Sequence, residues 1–113
     1  MPPRSKQFNR LEGSAPVFAA LGDETRLKLV AALCAQGPRS ITGLTAGSAV
    51  TRQAITKHLE VLAEAGLVRG VRRGRERIWE IRAERLREAR KFLKHISLEW
   101  DDRLARLKEF VEK

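Results

Sequence analysis

The chain has 113 residues, 42% of them hydrophobic and 33% charged, which predicts one compact folded domain rather than a disordered chain. Lysine and arginine number 23 against 14 acidic residues, for a net charge of +9, and such an excess points to a polyanion such as nucleic acid. No apolar run approaches the roughly 20 residues that cross a bilayer. The single cysteine excludes an internal disulfide, so we expect a cytoplasmic protein without a membrane partner.

The N-terminal segment, residues 1–13, contains prolines and polar residues and predicts a flexible basic arm before a domain over residues 14–113. No apolar stretch follows its positive charge, so a secretory signal is not expected. A short apolar helix then runs from Pro16 to Leu21, and Gly22 ends it.

The second helix is predicted to begin after Asp23, whose carboxylate can accept a free backbone N–H, and to end at Gly37. Its apolar residues at helical spacing are Leu27, Val30, Ala31 and Cys34, with Leu33 beside them. This pattern predicts that they form one buried stripe. Cys34 is therefore expected to be a buried, unreactive thiol.

Two further helices are separated by a tight turn. Ser40 is placed to cap a helix over residues 41–46, and Thr51 to cap one that runs to about Ala65. The apolar stripe of the latter helix is Ala54, Ile55, Leu59, Leu62 and Ala63. A short helix, a turn and a second helix form a helix-turn-helix, here about residues 40–65, whose second helix enters the major groove of DNA.

The pattern then changes to that of strands. Residues 67–73 and 76–82, with Gly74 between them, predict a β-hairpin, the wing. Residues 67–82 hold six arginines and two glutamates. Such a wing can lie along a flanking groove or phosphate strand, although a solvated arginine cluster would show the same composition.

The exposed side of the helix that begins at Thr51 carries groups suited to DNA. Arginine can bridge O6 and N7 of guanine, and glutamine can bridge N6 and N7 of adenine. Exposed polar residues also occur on any solvated helix, and the basic hairpin that follows favours the DNA interpretation. The residues expected to contact DNA are Ser40, Thr51, Arg52, Gln53, Thr56, Lys57, Arg72, Arg73, Arg75 and Arg77.

From Ala83 the helical period returns and predicts one long amphipathic helix over residues 83–112, with a break near 97–102 left open. Its apolar stripe is larger than a core of this size covers, so we expect a second copy to bury it. The alternative is that the helix folds back on its own domain. The predicted dimer interface comprises Val17, Phe18, Leu86, Ala89, Phe92, Leu93, Ile96, Trp100, Leu104 and Leu107.

Several blocks resemble ArsR-type winged helix-turn-helix repressors. Residues 20–27, ALGDETRL, resemble the family's "ALADPTR" opening, and residues 54–62, AITKHLEVL, resemble its recognition-helix pattern "xxSxHLxxL". Residues 65–75 resemble the family's helix-to-wing joint, and residues 99–107 resemble a branch whose last helix carries "WDERLxxL". The expected fold class is therefore mainly α with a small β-hairpin, a winged helix-turn-helix with a long C-terminal dimerisation helix.

The resemblance implies a homodimer that binds an inverted-repeat operator in double-stranded DNA and releases it on a signal. Thr56 stands where the pattern usually has serine, which keeps the hydroxyl. His58 matches the histidine of the pattern. It is interpreted either as a phosphate contact, which adds it to the expected DNA-binding residues, or as a side chain packed at the joint between helix and wing.

The signal is not given by the sequence. Many relatives bind metals through a Cys-x-Cys pattern before the recognition helix, but residues 40–46 contain no thiol or imidazole, so soft metals lack ligands there. His95 and Glu99 are two ligands at i, i+4, which is too few for a tight site. We predict no metal and no cofactor, and a redox switch through Cys34 is not favoured.

Other classes of function fit less well. With two histidines, one cysteine and no tyrosine, the chain has few groups for general acid–base catalysis, and no enzyme is predicted. RNA binding would call for an exposed aromatic platform. A winged helix that binds protein instead of DNA remains the alternative, and a steep fall of duplex affinity with salt would distinguish the two.

Overall fold

A computed structural model describes residues 14–112. The elements in chain order are α1 (residues 14–21), α2 (Glu24–Gln36), β1 (Arg39–Ser40), α3 (Ile41–Thr45), α4 (Arg52–Glu64), β2 (Val68–Arg73), β3 (Glu76–Ile81) and α5 (Ala83–Glu112). This is the winged helix-turn-helix that the sequence predicts, with α3 and α4 as its two helices and the β2–β3 hairpin as its wing. The arm predicted over residues 1–13 lies outside the described residues.

Side-chain caps begin three of the helices at the predicted residues. Asp23 accepts a hydrogen bond from the backbone N–H of Arg26, Ser40 from that of Gly43, and Thr51 from that of Ala54. Each cap satisfies an N–H that has no partner within its helix. The caps therefore fix where α2, α3 and α4 start.

The sheet has three antiparallel strands in the order β1-β3-β2. Arg73 pairs with Glu76, so the hairpin loop has two residues, and Gly74 takes the positive φ of 61° that such a loop needs. β1 was not predicted, because two residues, Arg39 and Ser40, are too short to show an alternating pattern. It pairs with Trp79 and Ile78 of β3.

The core lies between the helices and the inner face of the sheet. Its fully buried members include Ile55, Leu59 and Leu62 of α4 and Trp79 of β3. Two residues predicted for a dimer interface belong to this core instead. Val17 and Ala89 are 0% and 4% exposed, because α1 and the start of α5 pack into the same core, and neither offers surface to a partner.

The buried face of α2 differs from the predicted one. Leu29, Val30 and Leu33 are buried, whereas Leu27 is 52% exposed. Ala31 and Cys34 are exposed as well, so the prediction of a buried Cys34 is wrong for the chain by itself. Apolar residues surround most of this helix, and its periodicity therefore could not select the side on which α4 and β3 would pack.

The last helix, α5, is continuous from Ala83 to Glu112, without a break near residues 97–102. Phe18 of α1 and Phe92 of α5 pack with ring centroids 6.1 Å apart, and α5 is exposed from Leu93 onward. Its first third belongs to the core and the rest projects from it. Across residues 14–112, none of the helices has the length and apolar content needed to cross a membrane.

Candidate nucleic-acid interface

The two sides of α4 have opposite character. Arg52, Gln53 and Lys57 are exposed and Thr56 is half-buried, whereas Ile55 on the other side is buried. Residues three and four apart share a helix face, so the polar group forms one patch at the N-terminal half of the helix. The structure thus places these four side chains together on an accessible surface.

The first turn of α4 also offers backbone donors. Thr51 Oγ1 accepts from the N–H of Ala54 at 3.1 Å, and the Thr51 carbonyl accepts from the N–H of Ile55 at 3.0 Å. The N–H groups of Arg52 and Gln53 precede these bonds and can donate to an anion such as a phosphate. Thr51 therefore serves as the N-cap of α4 and fixes the direction of the free N–H groups of Arg52 and Gln53.

The hydroxyl of Thr56 already has a partner for its hydrogen. Oγ1 donates to the Arg52 carbonyl at 2.9 Å. What Thr56 presents to a ligand is consequently its methyl group and an acceptor lone pair. A thymine methyl or a base amino group suits that surface better than a phosphate does.

Glu60 is a site residue that sequence reasoning missed. It is exposed on the same side of α4 as Gln53 and Thr56, and Glu64 lies one turn further along. Phosphates repel carboxylates, so only the N-terminal half of α4 can enter a groove closely. The spacing of these glutamates was readable in the sequence.

The polar contacts of His58 are with α2 and its cap. Its Nδ1 lies 3.3 Å from Nη1 of Arg26 and 3.8 Å from Oδ2 of Asp23. These contacts connect His58 to the start of α2, and its packing at the helix–wing joint stays a prediction. Its phosphate interpretation is weakened, because one ring nitrogen is occupied within the protein. The backbone N–H of Arg26, which donates to the Asp23 carboxylate, holds the pKa of Asp23 below its ordinary value.

The wing gathers three of its arginines around a shallow hollow. Arg72 pairs with Arg77 across the strands, and these two residues line the hollow with Arg75 and Gly70. Like charges directly opposite each other on a hairpin are unfavourable, so an anion bound between them would stabilise the pair. We call Arg72, Arg75 and Arg77 the wing cluster.

Arg77 is held in place by two features of the hairpin. Its guanidinium carbon lies 4.5 Å from the centroid of the Trp79 ring. Gly70 leaves room for its side chain, because a Cβ at Gly70 would overlap Nε of Arg77. Contacts with Trp79 and Gly70 in the hairpin therefore restrict the position of the Arg77 side chain.

Two further arginines of the hairpin, Arg73 from the predicted set and Arg69, differ in position from the wing cluster. Arg73 is exposed but belongs to the strand position opposite Glu76, which puts it outside the wing cluster. Arg69 forms an ion pair with Glu80 of the neighbouring strand. Its positive charge is therefore partly neutralised within the sheet.

Ser40 is half-buried and its hydroxyl is occupied as the cap of α3. Arg39, which the sequence did not single out, is exposed next to it. An arginine adjoining the cap of the first helix of a helix-turn-helix was a signal available in the sequence. It adds positive charge at the base of the wing.

Metal ligands are sparse in the part of the chain that the structure describes. Over residues 14–112 there is no group of three or more His, Cys, Asp or Glu side chains placed to hold an ion. His95 and Glu99 pair with each other, Nε2 to Oε1, at 3.3 Å. They form an i, i+4 pair on the surface of α5.

Comparison with known proteins gives a consistent set of relatives. A family described as a helix-turn-helix domain matches residues 21–71. An uncharacterised HTH-type transcriptional regulator of Bacillus subtilis is 40% identical over 68 residues, covering 55% of this chain and 74% of that protein.

Solved structures agree with this. An ArsR-like transcriptional regulator from Rhodococcus is 39% identical with a TM-score of 0.73, over 88% of this chain and 93% of its own. A homodimeric winged helix-turn-helix DNA-binding domain from Mycobacterium bovis is 23% identical with a TM-score of 0.63, over 92% of this chain and 91% of its own. The latter likeness is one of fold.

Proposed function

The chain belongs to the ArsR-type family of winged helix-turn-helix transcriptional regulators, and we propose that it is a repressor that binds an inverted-repeat operator as a homodimer. Two features of the same domain support the proposal: the accessible polar patch on the N-terminal half of α4 and the wing cluster. One presents groups that read bases and the other presents concentrated positive charge. Together they suit a base-reading helix flanked by a phosphate-binding ribbon.

Within this proposal the two parts of the surface have different tasks. Gln53 and Arg52 read base edges in the major groove, with Thr56 beside them. Arg72, Arg75 and Arg77 bind phosphates or a flanking minor groove without reading sequence. Lys57, at the edge of the α4 patch, suits a phosphate. Glu60 limits how far the helix can enter and can accept a hydrogen bond from a cytosine amino group.

A second copy of the chain accounts for the exposed part of α5. The large apolar side chains on the stripe and their exposed fractions are Leu93 52%, Ile96 43%, Trp100 60%, Leu104 47% and Leu107 58%. Each such side chain contributes about 1.5–3 kcal/mol when fully buried. A stripe of this size is unusual on a protein that stays monomeric. The Mycobacterium bovis domain of the same fold is a homodimer.

The charges of α5 favour an antiparallel arrangement of two copies. Residues 83–94 carry five basic and two acidic side chains, whereas residues 95–112 carry three basic and five acidic ones. When two copies of α5 pack side by side in opposite directions, the acidic part of each helix faces the basic part of the other. Two-fold symmetry then sets the two α4 helices about 34 Å apart, one turn of DNA.

Repression is the mode that the likeness to ArsR-type repressors supports. A dimer seated on an operator needs no catalytic step to block transcription, and the proposed role therefore includes no enzymatic activity. Release requires a signal that changes either the dimer or the position of α4.

The experiment that tests the proposal is selection of bound duplexes from a random pool by the full chain. We expect enrichment of an inverted repeat whose half-sites are about one helical turn apart, and an affinity that falls steeply with salt. A double variant, Arg52→Ala with Gln53→Ala, should abolish enrichment but keep salt-dependent binding. Failure of the wild-type chain to enrich any duplex would contradict the proposal and favour a protein-binding winged helix.

A further inference from the structure

His58 joins the proposed DNA-reading helix to the rest of the domain. It belongs to α4, but its ring faces the first turn of α2, where Nδ1 lies 3.3 Å from Nη1 of Arg26. The His58 side chain retains 25% of its exposure. It therefore lies at the flank of α4, away from the patch formed by Arg52, Gln53 and Lys57.

Arg26 is fixed on its other side as well. Its Nε donates to the carbonyl of Ala20, at the end of α1, at 2.6 Å. Its backbone N–H donates to the Asp23 carboxylate at 2.9 Å. The Arg26 guanidinium thus connects the last turn of α1 with the flank of α4, and the Arg26 backbone N–H bonds to the cap of α2. We call Ala20, Asp23, Arg26 and His58 the Arg26 junction.

The bond between Arg26 and His58 constrains the protonation of the ring. A guanidinium has only donors, so Nδ1 must be the acceptor, and the hydrogen of the neutral ring must be on Nε2. A protonated ring carries hydrogen on both nitrogens. Protonation therefore removes this bond and leaves two cations side by side.

The surroundings offer limited compensation for a second positive charge. At the cap of α2, Asp23 faces the ring at 3.8 Å, and the same carboxylate also lies beside Arg26, so its one negative charge would be shared by two cations. Residues 41–45 of α3 include no charged side chain. On α4 itself, Glu64 lies along the same groove as Arg26.

We propose that the Arg26 junction sets the orientation of α4, so that base discrimination requires a neutral His58 that accepts a hydrogen bond from Arg26. This inference rests on the proposed role of α4 in reading DNA. Arg26 and His58 are positioning residues in it and need not touch DNA. Acidification weakens discrimination while the added charge maintains or raises affinity for any duplex.

The test compares the selected operator with a scrambled duplex of the same length, at about pH 8 and about pH 5.5, which bracket the range in which histidine titrates. For the wild-type chain we expect the ratio of the two affinities to fall about tenfold on acidification. Circular dichroism at both pH values verifies that the protein stays folded. A ratio that does not change with pH would overturn the proposal.

Two variants test whether the pH response of the affinity ratio comes from His58 or from another group. His58→Asn places an amide oxygen near the position of Nδ1 and does not titrate, so the ratio should stay high at both pH values. His95→Asn changes the only other histidine and should retain the wild-type pH response. A pH response that persists in His58→Asn, or vanishes in His95→Asn, would contradict the assignment.

A measurement without DNA keeps this inference distinct from the proposed function. Nitrogen chemical shifts of the His58 ring should report the Nε2–H tautomer at about pH 8, and Arg26→Met, which removes the donor, should shift the populations toward a mixture. An Nδ1–H tautomer in the wild-type chain would overturn the junction even if DNA binding is intact. Absence of duplex binding with the expected tautomer would overturn the proposed function instead.

Discussion

The guanidinium carbon of Arg77 lies 4.5 Å from the centroid of the Trp79 ring. Trp79 is 1% exposed and belongs to the core, so this contact connects a surface arginine of the wing cluster with the hydrophobic interior. Arg75, at the turn of the hairpin, has no equivalent support among the described contacts. The two arginines therefore allow the stability and the DNA-binding contributions of the wing to be measured separately.

Replacing Arg77 by alanine should lower the free energy of unfolding by about 0.5–1 kcal/mol, the size of an exposed cation–π contact. It should also reduce the slope of log affinity against log salt by about one, as for the loss of a phosphate contact. Urea unfolding and duplex titrations at several salt concentrations measure the two effects. Arg75→Ala, the matched control, should change only the slope, and an equal loss of stability in both variants would contradict this account.

Gln53→Ala should relax base preference at one operator position by about 1–3 kcal/mol, because a bidentate glutamine–adenine contact is lost. Binding to a panel of duplexes with single-base changes measures this. Arg75→Ala should weaken all members of the panel alike. An unaltered preference profile in Gln53→Ala would remove this residue from the groove.

Asp23→Asn should destabilise the protein in a pH-dependent way. Because the pKa of Asp23 is lowered in the folded state from its ordinary value of 3.8, mainly by the N–H of Arg26, ionised Asp23 stabilises the fold. This contribution is complete above the ordinary pKa and is lost as pH falls through the folded one. Asparagine still caps the helix, so the difference between wild type and variant isolates the charge.

The difference in unfolding free energy should consequently be present at neutral pH and shrink in acid below about pH 4. Urea unfolding of both proteins at a series of pH values gives the curve. Glu24→Gln removes the same charge one residue later without touching the cap. If the difference in unfolding free energy between wild type and Asp23→Asn grew toward low pH, it would contradict a stabilising role of ionised Asp23.

Leu104→Glu should convert the proposed dimer to a monomer, because a carboxylate on the apolar stripe of α5 would be buried without a partner. Sedimentation of the full chain measures the molecular mass. Leu98→Glu is the matched control, since Leu98 is 60% exposed and lies on the other side of the same helix. If Leu98→Glu were monomeric and Leu104→Glu dimeric, the interface would lie on the Leu98 side of α5, which would contradict the proposed dimer.

Cys34 should react readily with a thiol reagent in the monomeric Leu104→Glu variant, because the thiol is exposed in the single chain. The reaction rate relative to the unfolded protein measures its accessibility. Slower labelling of the wild-type dimer would extend the interface to the exposed side of α2, where Leu27 lies. Strong protection in the monomer itself would contradict the position of this helix face.

Part of this fold and site was predictable because its determinants are local. Asp23, Ser40 and Thr51 each bond an N–H three residues later, and Gly74 sits in a two-residue loop. Caps, turns and helical periodicity involve neighbours within about four residues, so a sequence displays them directly. The exposed polar side of α4 was predictable for the same reason.

The remaining features depend on residues distant in the chain. Arg26 and His58 are 32 positions apart, and nothing in either segment indicates that a histidine on α4 will accept a bond from the start of α2. Likewise, the buried side of α2 was chosen by packing against α4 and β3, because its own apolar residues allowed several. By itself the sequence determined the elements other than β1, the capped starts of α2, α3 and α4, and the polar face of α4. Only the tertiary structure decided which faces meet, since that choice minimises exposed apolar surface over the whole domain at once.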